Sequence, residues 1–575
     1  MLKYLFRPFV LLFKELLGFL IALFFVFRKP LLLLLSFFLA SFVLALYISI
    51  LLFYYRIDLT FNFDLLFRYV DKYGIYFFFS LLFGFLFFWR LLNRIVPDGR
   101  NIPKTSSMSL RKGTSLPSSK GSATFIWKTS NRFKSIVVSS PYQGIYVEGG
   151  AGAGKSQSVI EPFIYQAVEQ GFSGFLYDFK GNPPTLSSTL YGALTKYKSG
   201  VHFAHINLAN PAISHRCNPL YPEYLPSKLH AHEYASAILK NLNREWATKL
   251  DFWAENAIAY LSAIIWYLRV HYPSFCSLPH AMLLALEPPE KSLSLLQQDE
   301  EVKRMIGPIS VVQQQQANKQ LASVFSSLQL PLNKIYTKEL FWLLSSEPGD
   351  EGHVNLDVSD PSHPTFLSVG NDPRLGASFA PIIALLATVC MQHMNQQGKN
   401  KSAFVLEEAP TLFIPGLEQL PATARSNDVV TVLCVQDFAQ LSNLYGSKLA
   451  EVMRNTLGNQ FFGMSGNLST GEYVAKMAGD YMGVRWSYTD SSESKSDTAS
   501  LGKEPYLTAH QVATQPPGHF IVKVAGKKPQ FFSTQLRSSD LAAKPIPLRI
   551  ERHRLAGLME ENWKQIHREV EKILE

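Results

Sequence analysis

Apolar residues are concentrated in two long runs near the start of the chain. Positions 30–55 hold 26 residues without a formal charge, and positions 73–89 hold 17 more. As a helix the first run spans about 39 Å, enough to cross a hydrocarbon core of about 30 Å, and the second suffices when Leu91 and Leu92 are included. We therefore predict two transmembrane helices, at about 30–55 and 73–92, within an anchor at 1–96. A shorter run at 11–27 predicts an interfacial helix rather than a third span.

Downstream of a polar linker at 97–121, the pattern changes to short β-prone runs alternating with helical segments. Four β-prone runs are mainly apolar, and this pattern is typical of parallel strands buried on both faces. The runs end at Glu148, Asp178, Leu406 and Val435. From 224 to 343 the periodicity is helical and β-rich runs are nearly absent. The sequence predicts an α/β domain, at 122–223 and 344–545, interrupted by an all-α domain at 224–343.

Two segments near the C-terminus have other patterns. Residues 487–503 are polar and poor in β-formers, which predicts a mobile loop. Residues 546–575 have mixed charges at helical spacing, which predicts an amphipathic helix.

The net charge of +10 is confined to the first fifth of the 575 residues. Residues 1–120 hold 15 Lys and Arg against 5 acids, and the remaining 455 residues hold 40 of each sign. The bases flank both apolar runs, whereas the connecting loop at 56–72 is balanced, so both ends of the anchor should face the cytoplasm. The charge therefore favours membrane orientation over DNA binding. The four cysteines are widely spaced, which fits a reducing compartment and argues against a disulfide framework.

A phosphate-binding motif follows the first β-prone run of the α/β domain. It has the form GxxxxGK[ST], between a predicted strand and a predicted helix, and comprises Gly149, Gly150, Ala151, Gly152, Ala153, Gly154, Lys155 and Ser156. The small residues let successive backbone N–H groups face one anion. We expect Lys155 to reach the β and γ phosphates of a nucleotide and the Ser156 hydroxyl to hold Mg²⁺.

A P-loop needs a carboxylate at the end of a neighbouring strand. The favoured pair is Glu407 and Glu408, for Mg²⁺ and for the attacking water respectively; Asp178 is the rival, and a pair of solvated acids is the alternative. Gln436 ends a third strand and is a candidate γ-phosphate sensor. Arg425 is a candidate arginine finger toward a neighbouring subunit, with a surface salt bridge as its alternative.

Several motifs, taken in order, resemble the coupling proteins of type IV secretion systems, which are membrane-anchored ATPases. The resemblance covers roughly residues 120–535, and its most specific part is the block ending QDFAQLSNLYG at Gly446. The motifs are GGAGAGKS, YDFKG (177–181), HRCNPL (215–220), DFWAENA (251–257), FVLEEAPTL (404–412) and ARSNDVVTVLCVQDFAQLSNLYG (424–446).

The resemblance implies a RecA-like domain interrupted by an all-α domain, assembled as a homohexamer at the bacterial inner membrane with its ATPase domain in the cytoplasm. It implies that Lys155 and Ser156 belong to Walker A, that Glu407 and Glu408 occupy Walker B, and that Arg425 acts across the subunit interface. ATP and Mg²⁺ are the implied cofactors. The family usually has Asp-Glu where this chain has Glu407-Glu408, so the longer side chain should shift the ion or retune hydrolysis.

The expected function is to recruit single-stranded DNA, with its relaxase, and to drive it into a conjugation channel through contacts with secretion-channel proteins. Two alternatives stay open. One is a receptor for protein effectors with little DNA pumping, which the neutral ATPase body motivates. The other is a DNA translocase of the chromosome-segregation kind, which shares the fold.

Overall fold

The structure is a computed structural model, and it describes most of the chain beyond residue 122. Described are residue 86 and residues 110–111, 123–131, 134–315, 318–491, 494–526, 529–539 and 543–575. The predicted interfacial helix at 11–27, the membrane helices at 30–55 and 73–92, and the linker at 97–121 lie outside the described residues, apart from those three positions.

Within these residues, ten strands form one sheet in the order β1-β14-β13-β10-β4-β9-β8-β5-β7-β6. The strands from β10 to β6 are mutually parallel, and β13 pairs antiparallel with β10 and β14. The strands of the chain are β1 (Leu110–Arg111), β2 (Phe125–Lys128), β3 (Ser135–Val138), β4 (Ile145–Glu148), β5 (Ser173–Asp178), β6 (His202–Asn207), β7 (Thr365–Gly370), β8 (Ser402–Leu406), β9 (Val429–Val435), β10 (Asn459–Phe462), β11 (Asp480–Ser491), β12 (Ser494–Pro505), β13 (His519–Val524) and β14 (Gln530–Gln535).

The α-helices of the described residues are numbered in chain order. They are α1 (Glu161–Glu169), α2 (Leu186–Tyr197), α3 (Lys228–Leu242), α4 (Glu245–Thr248), α5 (Phe252–His271), α6 (Leu278–Leu286), α7 (Pro289–Leu296), α8 (Glu300–Met305), α9 (Gly307–Gln314), α10 (Asn318–Leu332), α11 (Lys338–Leu343), α12 (Gly376–Met394), α13 (Leu420–Thr423), α14 (Phe438–Tyr445), α15 (Ser447–Thr456), α16 (Leu468–Ala478), α17 (Ala509–Ala513) and α18 (Arg552–Leu574).

The central strands are buried on both faces, as their continuous apolar sequences predict. Successive residues alternate between two cores: Tyr146 and Phe175 pack in one, whereas Val147 and Leu176 pack in the other. Helices α1 and α2 cover the second core and α12 covers the first, so the sheet lies between helical layers. This arrangement is an α/β fold, as predicted from the sequence.

Helix α12 has the length and composition of a membrane span. Its mean hydropathy is 1.5 over the best window, yet 78% of that window is buried inside the protein. It packs against β5 and α3. Helix α12 is therefore a buried core helix in the described part of the chain, although its length and composition would suit a membrane span.

Helices α3 to α11 lie between β6 and β7 in the sequence. From residue 228 to residue 343, apart from 316–317, the described chain contains helices and turns and no strand. Helix α5 is the central helix: it packs against α3, α6, α8 and α10. The helices of the insertion therefore pack around α5, and their buried residues are continuous with the first core of the sheet.

The C-terminal helix α18 docks on the helical insertion of its own chain. Trp563 lies with its ring centroid 4.6 Å from that of Phe341 and 4.7 Å from that of Tyr336. His280 Nε2 and Glu569 Oε2 are in hydrogen-bond contact at 3.0 Å. The amphipathic pattern of this helix thus has its apolar partner within the same molecule.

Residues 480–505 form a two-stranded antiparallel hairpin, so the mobile loop predicted for 487–503 is wrong. Strands β11 and β12 pair in register from Asp480 opposite Pro505 to Ser491 opposite Ser494. Backbone groups make the ladder whatever the side chains are, and a polar, β-poor sequence hides this pairing from a propensity-based prediction.

Truncating a buried residue of α18 should release the helix. Ile566 is 2% exposed, and replacing a buried isoleucine by alanine removes apolar contacts worth about 3 kcal/mol. We expect Ile566→Ala to accelerate proteolytic removal of the C-terminal helix, measured by limited trypsin digestion and mass spectrometry. The exposed Glu561→Ala on the same helix is the control, and equal cleavage rates in the two variants would contradict the docking.

Candidate functional site

The predicted phosphate loop connects β4 to a helical turn at the carboxyl edge of the sheet. Gly152 and Gly154 have φ values of 78° and 89°, which a residue with a Cβ adopts only with strain. Gly154 also lies against the backbone of Gly518, where an added Cβ would sit 3.1 Å from the amide nitrogen. The helix after the loop starts at Lys155 with a π-helical turn, Ser156–Ile160, that continues into α1. The two glycines are therefore required by the shape of the loop.

Neighbouring strands hold the loop in place through backbone hydrogen bonds. Gly149 N donates to Val435 O at 3.3 Å, and Gly150 N donates to Met464 O at 2.7 Å. Gly463 N donates to Glu148 O at 2.8 Å. The loop is thus fixed by the ends of β9 and β10, which flank β4 on either side.

The order of strands brings the predicted acids and the glutamine to the loop. Strand β9 lies between β4 and β8, and all three are parallel. Their carboxyl ends therefore meet at one edge, where Lys155, Glu408 and Gln436 come together.

Glu407 is hydrogen-bonded directly to the phosphate loop. Ser156 Oγ donates to Glu407 Oε1 at 2.9 Å, and Phe179 N donates to Oε2 at 3.0 Å. The side chain is 7% exposed. Burial, together with the nearby Asp178 charge, raises the pKa of Glu407 to about 7.

Ser156 and Glu407 present the hard oxygen ligands that suit Mg²⁺. Among the described residues, no cluster of three or more His, Cys, Asp or Glu side chains could hold a metal ion by itself. Mg²⁺ commonly takes one or two protein oxygens and completes its shell with phosphate and water. The pair therefore fits a magnesium ion that arrives with a nucleotide.

Glu408 is held by Gln436 at the end of the adjacent strand. Gln436 Nε2 donates to Glu408 Oε2 at 3.0 Å, and its backbone N donates to Oε1 at 3.3 Å. Burial raises the pKa of Glu408, although the Lys155 charge and these hydrogen bonds oppose the shift. Burial also lowers the pKa of Lys155, against the attraction of Glu408. The Lys155 ammonium meanwhile donates to the carbonyls of the loop residues Gly149 and Gly150.

Asp178, the rival acid, is committed to another structure. Its carboxylate accepts from Thr185 N at 3.0 Å, Thr185 Oγ1 at 2.7 Å, Ser187 N at 2.9 Å and Ser187 Oγ at 2.8 Å. These donors lie at the start of α2, and Asp178 is fully buried. The carboxylate therefore anchors α2 to β5.

Arg425 is not brought to the phosphate loop of its own chain. It is exposed on a 3₁₀ turn, Ala424–Asn427, that directly precedes β9. Gln436 follows β9 at the other end, and a seven-residue strand spans roughly 20 Å. In the part of the chain that the structure describes, its guanidinium has no ion-pair or hydrogen-bond partner. Its side chain is therefore exposed at the end of β9 that is remote from the phosphate loop.

A buried carboxylate beside the loop was not among the predicted site residues. Glu148 is fully buried, and it accepts from Tyr146 Oη at 2.9 Å and from Thr470 Oγ1 at 2.6 Å. Burial raises its pKa, while the hydrogen bonds and the charge of Arg454 oppose the shift. The signal in the sequence was a charged residue that closes an apolar strand immediately before the glycine-rich loop.

Comparisons of the sequence with known proteins find relatives of part of the chain. A family model described as the TraM recognition site of TraD and TraG matches residues 401–517. The coupling protein TraD of Escherichia coli (strain K12) is 24% identical over 179 residues, 29% of this chain and 25% of that protein. The chain thus matches about a quarter of that relative's length. These matches support the type IV secretion coupling-protein family.

Solved coupling proteins have a similar fold. The unbound bacterial conjugative coupling protein TrwBdeltaN70 superposes with a TM-score of 0.53 at 15% identity, over 72% of this chain and 90% of that chain. The plasmid coupling protein TrwB in complex with ADP and Mg²⁺ gives 0.51 at 16% identity, over 71% and 88%. At this identity the likeness establishes the fold alone, an α/β domain with a helical domain. Together with the family-model and TraD matches, this fold supports the resemblance to coupling proteins that the motifs predicted.

The contacts of Asp178 and Lys155 predict different effects when each residue is replaced by alanine. Asp178→Ala should destabilise the protein by about 3 kcal/mol, because four donors at the start of α2 lose their acceptor. Its affinity for a fluorescent ADP analogue should stay within about twofold of wild type. Lys155→Ala should show the reverse, a normal unfolding midpoint with affinity lost. Both variants are measured by thermal unfolding and by fluorescence titration, and loss of nucleotide affinity at normal stability in Asp178→Ala would contradict its assignment.

Proposed function

We propose that the chain is a membrane-anchored coupling ATPase of a type IV secretion system. It uses ATP hydrolysis to recruit single-stranded DNA or nucleoprotein and drive it into a conjugation channel. The observation that carries the proposal is the convergence of Lys155, Ser156, Glu407, Glu408 and Gln436 at one edge of a parallel sheet. The solved TrwB complexes, with ADP and Mg²⁺ and with a non-hydrolysable ATP analogue, support it.

Each residue at this edge has a role in phosphoryl transfer to water. Backbone N–H groups of the loop that have no protein acceptor among the described residues, those of Ala151, Gly152 and Gly154, cradle the phosphates. Lys155 places its charge against the β and γ phosphates. Ser156 and Glu407 would hold Mg²⁺, which when bound would supply positive charge beside the phosphates. Glu408 polarises the attacking water, and Gln436 fixes the Glu408 carboxylate while its amide senses the γ-phosphate.

Glu407 in the place of the family's aspartate fits this scheme. Its side chain already reaches Ser156, with which it would share the ion, at 2.9 Å. The extra methylene of Glu407 therefore fits between the end of β8 and the phosphate loop, and the two remain in hydrogen-bond contact. We infer that the ion is held by Ser156 and Glu407 together.

The site is completed in a homohexamer. The exposed Arg425 lies at the sheet edge opposite its own phosphate loop, so only a neighbouring subunit's nucleotide is available to it. An arginine in this role stabilises charge on the transferring phosphoryl group. We therefore assign Arg425 to catalysis across the subunit interface.

The membrane anchor is assigned from the sequence. The uncharged runs at 30–55 and 73–92, with bases on their outer flanks, place the ATPase domain at the cytoplasmic face of the bacterial inner membrane. The relaxase and the secretion-channel proteins are the expected partners on either side of the transfer step.

A second candidate function is delivery of protein cargo. Residues 121–575 hold as many acids as bases, so this part of the subunit has no net charge to attract a nucleic acid. The family model that matches 401–517 is named for recognition of a protein, TraM. These two observations favour a protein contact in this part of the chain, with or without DNA transport.

Nucleotide hydrolysis and its response to DNA separate the two functions. Full-length protein in detergent should hydrolyse ATP, and single-stranded DNA should stimulate it. Lys155→Ala and Glu408→Gln should each lower turnover about 100-fold, since they remove a phosphate-facing charge and the acid that polarises water. Nucleotide binding should survive only in Glu408→Gln. Phosphate release is the measurement, and the exposed Lys196→Ala is the control. A hydrolysis rate that does not change when single-stranded DNA is added would favour the protein-cargo function.

Mixed oligomers test the assignment of Arg425. Arg425→Ala alone should lower turnover about 1,000-fold. Mixing it with Lys155→Ala subunits should restore part of the activity, because some interfaces then combine an intact arginine with an intact phosphate loop. A doubly substituted chain mixed with Lys155→Ala is the control that should stay inactive. Failure of the first mixture to recover, with mixed oligomers shown by mass photometry, would contradict action in trans.

A further inference from the structure

The segment that follows Glu408 is tied back to it by a hydroxyl. After the acidic pair the chain makes a 3₁₀ turn, Ala409–Thr411. Thr411 Oγ1 donates to the Glu408 carbonyl at 2.7 Å, and Thr411 N donates to the same oxygen at 3.1 Å. The position of Thr411 therefore constrains the backbone from which the Glu408 side chain projects.

Helix α3 of the helical insertion grips this segment through one buried amide. Asn241 Nδ2 donates to Phe413 O at 2.7 Å, and Phe413 N donates to Asn241 Oδ1 at 2.8 Å. Asn241 is 4% exposed. The paired bonds fix both the position and the orientation of the Phe413 peptide groups, as a strand partner would.

Lys240 of α3 and Arg244, two residues after the end of α3, contact the same segment. Arg244 Nη2 donates to Thr411 O at 3.1 Å. The Lys240 ammonium lies 5.0 Å from the centre of the Phe413 ring. The helical insertion thus contacts Thr411 and Phe413, which lie three and five positions after Glu408.

The opposite side of the segment is held by the helix that follows Gln436. Tyr445, at the end of α14, donates to Leu412 O at 2.8 Å and accepts from Ile414 N at 2.9 Å. Helix α14 begins two residues after Gln436. The chain leaving Glu408 and the chain leaving Gln436 are therefore joined at Tyr445, and α3 closes the arrangement from the other side.

We propose that Asn241 is a positioning residue for hydrolysis: through Phe413 and Thr411 it sets the orientation of Glu408 toward Gln436. The inference rests on the proposed ATPase function and deepens it. Helix α3 packs against both α12 under the sheet and α5 at the centre of the insertion. A movement of the insertion is thereby passed to the acid that polarises water, without any residue of the insertion touching the nucleotide.

The test is a split between turnover and nucleotide affinity in the full-length chain. Asn241→Ala should lower the kcat for ATP about tenfold and leave the KM and the Kd for a non-hydrolysable analogue within about twofold, because the phosphate loop is untouched. Asn241→Asp keeps the volume and the acceptor for Phe413 N, so it should recover part of the lost kcat. Arg244→Ala, an exposed change that spares folding, should lower kcat by a smaller factor.

Asn256 offers a matched control in the same insertion. It is 6% exposed, and its Nδ2 donates to Phe252 O within its own helix at 2.7 Å. Asn256→Ala removes a buried amide of the same kind without touching the segment after Glu408, so its kcat should stay at the wild-type value. Hydrogen exchange should show faster exchange at the Phe413 amide in Asn241→Ala only.

The outcomes distinguish this inference from the proposed function. A wild-type kcat in Asn241→Ala, or an equal fall in Asn256→Ala, would overturn the role of Asn241 while leaving the ATPase standing. A parallel rise in KM would overturn it also, because it would mean that the phosphate loop had moved. Absence of hydrolysis in the wild-type chain would overturn the proposed function itself, and the role of Asn241 with it.

Discussion

The parallel pairing of β9 between β4 and β8 is the constraint on which the candidate site depends. Two hydrogen-bonded ladders fix the strands side by side, so the phosphate loop, Gln436 and the acidic pair leave the sheet at one edge. Without that order the Ser156–Glu407 and Gln436–Glu408 contacts could not form. The chain after β10 hydrogen-bonds to the phosphate loop at this edge, and α3 hydrogen-bonds to the segment after Glu408.

The buried charges at this edge are arranged to compensate one another. Burial disfavours the charged forms of both Lys155 and Glu408, and each offsets part of the other's desolvation by its opposite charge. Burial, together with the Asp178 charge, raises the pKa of Glu407 to about 7, against the smaller opposing effect of the Lys180 charge. A buried carboxylate beside a hydroxyl and close to another acid is an arrangement that a divalent cation would stabilise.

The helical insertion and the C-terminal helix extend the argument beyond the edge of the sheet. Helix α3 is part of both the insertion core and the layer on the sheet, and its Asn241 reaches the chain that leaves Glu408. Helix α18 returns from the end of the chain to pack on α6 and α11. The insertion therefore contacts α12 through α3, and it contacts α18 through α6 and α11. Because α3 also reaches the chain after Glu408, the position of the insertion affects the candidate nucleotide site.

Much of the fold and part of the candidate site could be predicted because they depend on local patterns. Continuous apolar runs identified β4, β5, β8 and β9, and the glycine spacing identified a loop that needs positive φ at Gly152 and Gly154. The hairpin at 480–505 escaped prediction because backbone pairing carries it and its polar side chains give no alternating pattern. Asn241 escaped because its partner, Phe413, lies 172 positions away.

The sequence by itself determined the phosphate loop, the apolar strands and the set of acids that could serve it. It favoured Glu407 and kept Asp178 as a rival, since each closes an apolar strand. Only the tertiary structure decided between them: the start of α2 supplies four donors to Asp178, whereas the strand order turns Glu407 toward Ser156. The physical reason is that a carboxylate's role is set by the donors that surround it, and those donors come from elements distant in the chain.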